Sequence, residues 1–98
     1  MDNKIEQKES DGKGMFFIEK DGKIVGHLRY SLKDNNILTL DHTEVDPEMS
    51  GKGLAGDLVK HSVAFARKKN LKVDPLCAYA AKQFERNEEY QDLLVNPK

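Results

Sequence analysis

Glycine residues cluster between Val45 and Gly56 in a pattern that suits an anion. A strand is predicted to end at Val45, a turn with Pro47 and glycines follows, and a helix begins near Gly53. Glycine lets the backbone approach a ligand closely, and the first amides of a helix have no partner inside it. Together with the helix dipole, such amides typically bind phosphate. A tight structural turn with close helix–sheet packing explains the same residues, so both interpretations stay open.

The composition predicts one domain with a modest core. The 98 residues are 38% hydrophobic and 34% charged, with a net charge of −1 that gives no overall attraction to nucleic acid or to an anionic membrane. No apolar run approaches the ~20 residues that span a bilayer, and the N-terminus carries no apolar signal segment. The single cysteine, Cys77, excludes an internal disulfide and fits a reducing, cytoplasmic location. We expect residues 1–13 to be a polar N-terminus that can fray and residues 14–98 to form the domain.

Alternating and β-branched residues predict three antiparallel strands before the glycine turn. These strands cover residues 15–20, 23–32 and 37–45. Asp21-Gly22 favours a type I′ hairpin turn between the first two, and Asp34–Asn36 forms the next turn. The residues expected on the buried face of the second strand are Ile24, Leu28, Tyr30 and Leu32. Ile5 is a candidate anchor for a further short edge strand.

The segment from Gly53 to Asn70 has the period of an amphipathic helix. Its basic end, Arg67–Lys69, complements the helix dipole, which is a simpler explanation than a nucleic-acid surface. A short strand at 71–77 and helical pieces at 78–86 and 88–95 follow. Strand, helix and strand form a crossover, which implies a parallel pair. We therefore predict an α+β or α/β fold with a mixed, mostly antiparallel sheet and helices packed on it.

This order of elements resembles the core of the GNAT superfamily of acetyl-coenzyme A-dependent N-acetyltransferases. The family signature is Arg/Gln-x-x-Gly-x-Gly/Ala, and the matching residues run from Ser50 to Ala55, with Ser50 in place of Arg/Gln. The match is closer to a small single-domain branch without the usual first two helices. The residues that carry it are His42-Thr43-Glu44-Val45, Gly51-Lys52-Gly53-Leu54-Ala55, Ala66-Arg67, Val73-x-Pro75-x-Cys77-x-Tyr79 and Glu89-Tyr90-x-Asp92-Leu93-Leu94. The resemblance implies a minimal GNAT fold with a V-shaped splay at the parallel pair.

The resemblance also implies that acetyl-coenzyme A, or coenzyme A, is the cofactor. The pyrophosphate of coenzyme A would accept charge-assisted hydrogen bonds from the loop amides. Lys52 would screen the phosphates or remain a solvated lysine, and Ser50 departs from the Arg/Gln that makes one family contact to the pyrophosphate. The implied cofactor-binding residues are Val45, Ser50, Gly51, Lys52, Gly53, Leu54, Ala55 and Gly56.

Four residues are candidates for acetyl transfer to an amine of unknown identity. In GNATs the thioester lies where the parallel strands separate, which places Cys77 near the acetyl group. A helix predicted to follow Cys77 would favour its thiolate, so Cys77 is either a transient acetyl carrier or a small packed thiol. His42 and Glu44 share one strand face, and either could be the base or a structural residue. Tyr79 is a proton donor to the leaving thiolate or a packing residue.

The remaining polar residues suggest no further chemistry. His27 and His61 are expected at the surface, and three scattered histidines with one cysteine predict no metal site. The alternative to an enzyme is a non-catalytic module that binds coenzyme A or a protein partner, which Ser50 and the missing helices favour. We expect neither nucleic acid nor membrane as a partner.

Overall fold

The protein folds around one five-stranded sheet whose strands lie in sequence order. The computed structural model describes residues 4–34 and 36–95. The strands are β1 Ile5–Ser10, β2 Lys13–Lys20, β3 Lys23–Lys33, β4 Ile37–Val45 and β5 Lys72–Pro75. β1 to β4 pair antiparallel, whereas β4 and β5 pair parallel. The predicted mixed sheet with one parallel pair is therefore confirmed.

Two α-helices and two 3₁₀ segments complete the described part of the fold. They are a 3₁₀ turn Pro47–Met49, α1 Leu54–Lys69, α2 Ala78–Arg86 and a C-terminal 3₁₀ segment Glu88–Leu93. Asn70 caps α1 in the left-handed conformation with φ 57°, as predicted for this residue type. The apolar stripe of α1 packs on the sheet, and α2 adds Ala80 and Phe84 to the same core. In the described part of the chain, no helix is long and apolar enough to cross a membrane.

The N-terminal segment belongs to the sheet, in contrast to the fraying expected from its polarity. β1 pairs along its whole length with β2, and Ile5 is its half-buried anchor. The turn between them is Asp11-Gly12, where both residues have positive φ (52° and 76°), as a type I′ hairpin turn requires. Asp21-Gly22 forms the same kind of turn, which confirms that prediction. Residues 1–3 of the predicted frayed segment, Asn35 and residues 96–98 lie outside the described residues.

Tyr30 attaches the edge strand β1 to the core. Its ring is 1% exposed, and its hydroxyl accepts a hydrogen bond from Gln7 Nε2 at 2.6 Å and donates one to Glu9 Oε1 at 2.7 Å. Burial raises the pKa of Tyr30 to about 12. The phenol is therefore a structural group that holds its proton well above neutral pH.

A β-bulge in β3 changes the predicted alternation of its side chains. Ile18 pairs with Gly26, but the next residue, Glu19, pairs with Ile24, so Val25 is the extra residue. Val25 is buried, whereas Ile24 is 37% exposed. The prediction that Ile24 faces the core was wrong, because a strict period of two cannot show an inserted residue.

A second bulge lies in β4 and has Asp41 as its extra residue. Asp41 stands between Leu40, which pairs with Tyr30, and His42, which pairs with Arg29. Its carboxylate accepts hydrogen bonds from two hydroxyl groups, those of Ser31 at 2.6 Å and Thr39 at 2.8 Å. These bonds fix the bulge.

The bulge determines which face of the sheet each later residue of β4 occupies. Thr43 pairs with the buried Leu28 and so shares its face, toward the core. His42 and Glu44 lie on the opposite face. We call this the outer face, defined by His27, Arg29, His42 and Glu44 on β3 and β4.

Candidate functional site

The predicted phosphate loop is an open turn at the N-terminus of α1. The amide of Ser50 donates to Pro47 O at 3.2 Å, and the amide of Asp57 donates to Gly53 O at 3.0 Å. Between them, across residues 4–34 and 36–95, none of the amides of Gly51–Gly56 donates to another group of the protein. Several backbone donors thus stand together at the positive end of the helix dipole, an arrangement that suits an anion.

The conformation of this loop depends on glycine. Gly51 and Gly53 have φ of 82° and 78°, in the left-handed region, and a Cβ at either position would meet no atom within 4 Å. The space beside these two glycines is therefore open. Among the predicted cofactor-binding residues, Ser50, Gly51, Lys52 and Gly53 are exposed, Val45, Ala55 and Gly56 are half-buried, and Leu54 is buried in the core.

The two parallel strands separate directly beyond Leu40. The amides of Leu76 and Cys77 both donate to the carbonyl of Leu40, at 3.0 and 2.9 Å. From there the chain turns into α2, whereas β4 continues to Val45. The resulting splay is the V-shaped opening expected of the fold, and the side chain of Leu76 is 62% exposed at this point.

Cys77 lies beside this opening and caps α2. Its half-buried free thiol accepts a hydrogen bond from the amide of Ala80 at 3.4 Å. The same sulfur lies 3.3 Å from Thr43 Oγ1, with either atom as the donor. Thr43 was not among the predicted site residues, because its orientation toward Cys77 depends on the bulge in β4.

Tyr79 connects α2 to the first turn of α1. Its hydroxyl accepts a hydrogen bond from Gln83 Nε2 at 3.1 Å and stands 3.6 Å from the position of a Cβ on Gly56. Burial raises the pKa of Tyr79 above its ordinary value, so the phenol keeps its proton at neutral pH. A proton donor is thus held next to the glycine loop.

His42 and Glu44 form a separate group with His27 on the outer face. Glu44 pairs directly with His27, and His27 Nε2 lies 3.9 Å from Glu44 Oε1. The ring centroids of His27 and His42 are 6.0 Å apart. Burial, followed by the charge of Arg29, lowers the pKa of His27 below its usual value. Since Thr43 points to the core side, these two candidate bases face away from Cys77.

His27 and His61, both expected at the surface, are half-buried. The side chain of His27 is only 17% exposed. His61 is half-buried, with its ring edge-on to Phe16 at 4.9 Å, and burial lowers its pKa. The spacing of the histidines gave no sign of the group on the outer face, because only the register between β3 and β4 brings His27 to His42.

A shallow groove follows the outer face, and a smaller cavity lies elsewhere. The groove has a volume of about 550 Å³, and its polar lining includes His27, Arg29, Glu44 and Asp46. The cavity, of about 250 Å³, lies between β5, α2 and the C-terminal 3₁₀ segment. Of these two, the groove is the one lined by a residue predicted for catalysis, Glu44.

Comparisons with known proteins agree with this architecture. The nourseothricin acetyltransferase structure is 28% identical, with a TM-score of 0.56 over 78% of this chain and 49% of that chain. The aminoglycoside N-acetyltransferase AAC(6')-Iy, solved in complex with CoA, is 17% identical with a TM-score of 0.59, over 78% of this chain and 66% of that chain; at this identity it supports the fold alone. Comparison with curated proteins gave no significant match.

Two further findings concern most of the chain. A GCN5-like protein from Staphylococcus aureus, solved by NMR, is 32% identical with a TM-score of 0.72, and the alignment covers 100% of this chain and 94% of that one. The sequence model of the GCN5-related N-acetyl-transferases matches residues 15–93. The protein therefore belongs to the GCN5-related N-acetyltransferase (GNAT) family.

Proposed function

We propose that this protein binds acetyl-coenzyme A at Gly51–Gly56 and transfers the acetyl group to an amine. The observation that carries the proposal is the row of amides at the start of α1 that have no partner among the described residues, next to the opening between β4 and β5. Family membership supports it, and AAC(6')-Iy, a protein of the same fold, was solved in complex with CoA. A cytoplasmic location, where the free thiol of Cys77 stays reduced, belongs to the same proposal.

The loop amides would hold the diphosphate of coenzyme A. Amides at a helix N-terminus bind anions without a cationic side chain, and the exposed Lys52 is near enough in sequence to add charge. Ser50 offers only a hydroxyl, because its amide already donates to Pro47 O. We therefore expect weaker phosphate binding than a guanidinium at position 50 would give.

Acetyl transfer requires that the amine lose a proton while the departing sulfur gains one. Bound acetyl-coenzyme A supplies an activated acetyl thioester. Both His42 and Glu44 face away from Cys77 across β4. Either residue would therefore accept the proton from the amine through water rather than directly. Tyr79, protonated at neutral pH, is placed to supply the proton to sulfur. A route through acetylated Cys77 needs two further transfers, because the Cys77 thiol must lose its proton before it takes the acetyl group and its sulfur must regain one when the amine displaces it.

Titration of the isotope-labelled protein with coenzyme A tests the binding step. We expect amide shifts at Gly51–Gly56, with further shifts at Thr43 and Cys77. Pantetheine lacks the diphosphate, so it should shift the resonances of Thr43 and Cys77 and leave the loop unchanged. A loop that stays silent with saturating coenzyme A would refute the assigned site.

A non-catalytic module that binds coenzyme A, or a protein partner, is the second candidate. Ser50 in the Arg/Gln position favours it, as do four consecutive strands with no helix among them in the described residues 4–34 and 36–45. Incubation with acetyl-coenzyme A and a panel of amines, including lysine peptides, free peptide N-termini and polyamines, separates the candidates. Loop shifts without any acetylated product identify the binding module. Where product forms, the pH profile of His42→Ala against the parent tests the base.

A further inference from the structure

We infer that His27, His42 and Glu44 form a binding site for a divalent transition-metal ion of the zinc class on the outer face. One ligand atom from each residue lies within 4.8 Å of the other two. Two imidazoles and one carboxylate are the ligand set of catalytic zinc sites that leave a position open for water or substrate. The set lies outside the glycine loop and outside the contact of Cys77 with Thr43.

The geometry requires only small movements of exposed side chains. A tetrahedral zinc with bonds of about 2.1 Å places its ligand atoms roughly 3.4 Å apart. His27 Nε2 and Glu44 Oε1, at 3.9 Å, are therefore close to the required separation. The widest separation, at most 4.8 Å, must shorten by roughly 1.4 Å to reach the tetrahedral value. His42 and Glu44 are exposed, so rotation within their rotamer wells can supply this, while the half-buried His27 stays fixed.

The strand pairing explains why the three side chains converge. His27 and Glu44 are direct partners in the antiparallel register, and His42 is two residues from Glu44 on the same face. Direct partners and diagonal neighbours across two strands are both within reach of long side chains. The backbone of a paired sheet therefore holds the ligands, rather than a mobile loop.

The charges around the site are mixed. Arg29 pairs with His42 and places a cation on the same face, which opposes metal binding. The carboxylate of Asp41, held by two hydroxyl groups, and that of Glu44 offset it. Replacing Arg29 with glutamine should therefore tighten metal binding, because it removes the one cationic side chain among the described residues that pairs directly with a ligand of this set.

The ligand types select the class of metal. Imidazole suits Zn²⁺, Cu²⁺ and Ni²⁺, whereas Mg²⁺ and Ca²⁺ require oxygen ligands. Bound metal would occupy a lone pair of His42 and a carboxylate oxygen of Glu44. If the proposed function holds with either residue as the base, Zn²⁺ should also slow amine acetylation. That consequence rests on the proposed function, whereas binding itself does not.

The direct test is a Zn²⁺ titration of tag-free, full-length protein, followed by calorimetry and by imidazole ¹⁵N resonances. We expect saturable binding of one Zn²⁺ per chain in the micromolar range, with shifts at His27 and His42. Mg²⁺ should leave these resonances unchanged. Absence of saturable Zn²⁺ binding, or equal shifts with Mg²⁺, would overturn the site without bearing on coenzyme A binding.

Matched variants locate the metal. His42→Gln and Glu44→Gln change exposed side chains, so the fold should persist, and each should weaken Zn²⁺ binding at least tenfold. His61→Gln removes the only other histidine of the chain and should bind Zn²⁺ like the parent, as should Cys77→Ser. Loss of binding in either control, or parental affinity in both His42→Gln and Glu44→Gln, would show that the metal sits elsewhere.

Discussion

Replacing Cys77 with serine and with alanine separates its role as a helix cap from its chemistry. The sulfur accepts the amide of Ala80 at 3.4 Å at the start of α2. A serine hydroxyl can accept the same hydrogen bond and is a preferred N-cap, whereas alanine leaves the amide without a side-chain partner. We therefore expect Cys77→Ala to be less stable than Cys77→Ser by about 1 kcal/mol. For a domain of this size that difference corresponds to about 4–8 °C in Tm.

Urea unfolding followed by circular dichroism measures this difference, since the chain has no tryptophan to report by fluorescence. Amide exchange at Ala80 should be faster in the alanine variant than in the serine variant. Equal unfolding free energies, within a few tenths of a kcal/mol, would refute the capping role. Because the serine variant keeps the cap, its acetyl-transfer rate then reports on the thiol alone. A folded serine variant without activity would identify Cys77 as the acetyl carrier.

Three further predictions concern the loop, the core phenol and the C-terminal segment. Gly53→Ala should lower the free energy of unfolding by about 1–2 kcal/mol, because φ is 78° at this position. Gly56→Ala, inside the helix, should instead raise it by about 0.5–1 kcal/mol. Urea unfolding measures both changes. Tyr30 has a pKa of about 12 in the folded protein, above its unfolded value of 10. Its contribution to the free energy of unfolding is therefore complete below pH 10 and falls by about 2–3 kcal/mol as the pH rises to 12. The free energy of unfolding of Tyr30→Phe should not show this fall over the same pH range. The paired hydrogen bonds from Arg67 to Asp92, at 2.9 and 3.1 Å, lower the pKa of Asp92. The Tm difference between the parent and Asp92→Asn should therefore vanish as the pH falls through that lowered pKa. A variant with the Tm of the parent at neutral pH would contradict this.

Local signals in the sequence predicted most of the elements. Asp21-Gly22 requires only its own two residues to form the hairpin turn, and Asn70 ends α1 through its own left-handed conformation. The bulges were not predictable, because Val25 and Asp41 differ from their neighbours only through the register with the facing strand. Register is a property of two segments, so a pattern along one segment does not contain it.

The same distinction applies to the candidate site, where local sequence predicted the glycine loop and strand register determines the other contacts. The glycine loop followed from composition and position, since Gly51 and Gly53 carry the positive φ that their type permits. The contact of Thr43 with Cys77 joins residues 34 positions apart and depends on the bulge. The approach of His27 to Glu44 likewise depends on the pairing of β3 with β4.

The extra residue in β4 makes the register of this strand more important than the identity of any one side chain in it. If Asp41 instead paired with Arg29 in a regular ladder, every later position of β4 would turn to the opposite face of the sheet. His42 and Glu44 would then point toward the helix, and Thr43 would leave Cys77 for solvent. A slip of one residue in register would therefore disrupt both polar groups at once, whereas a point mutation removes one member at a time.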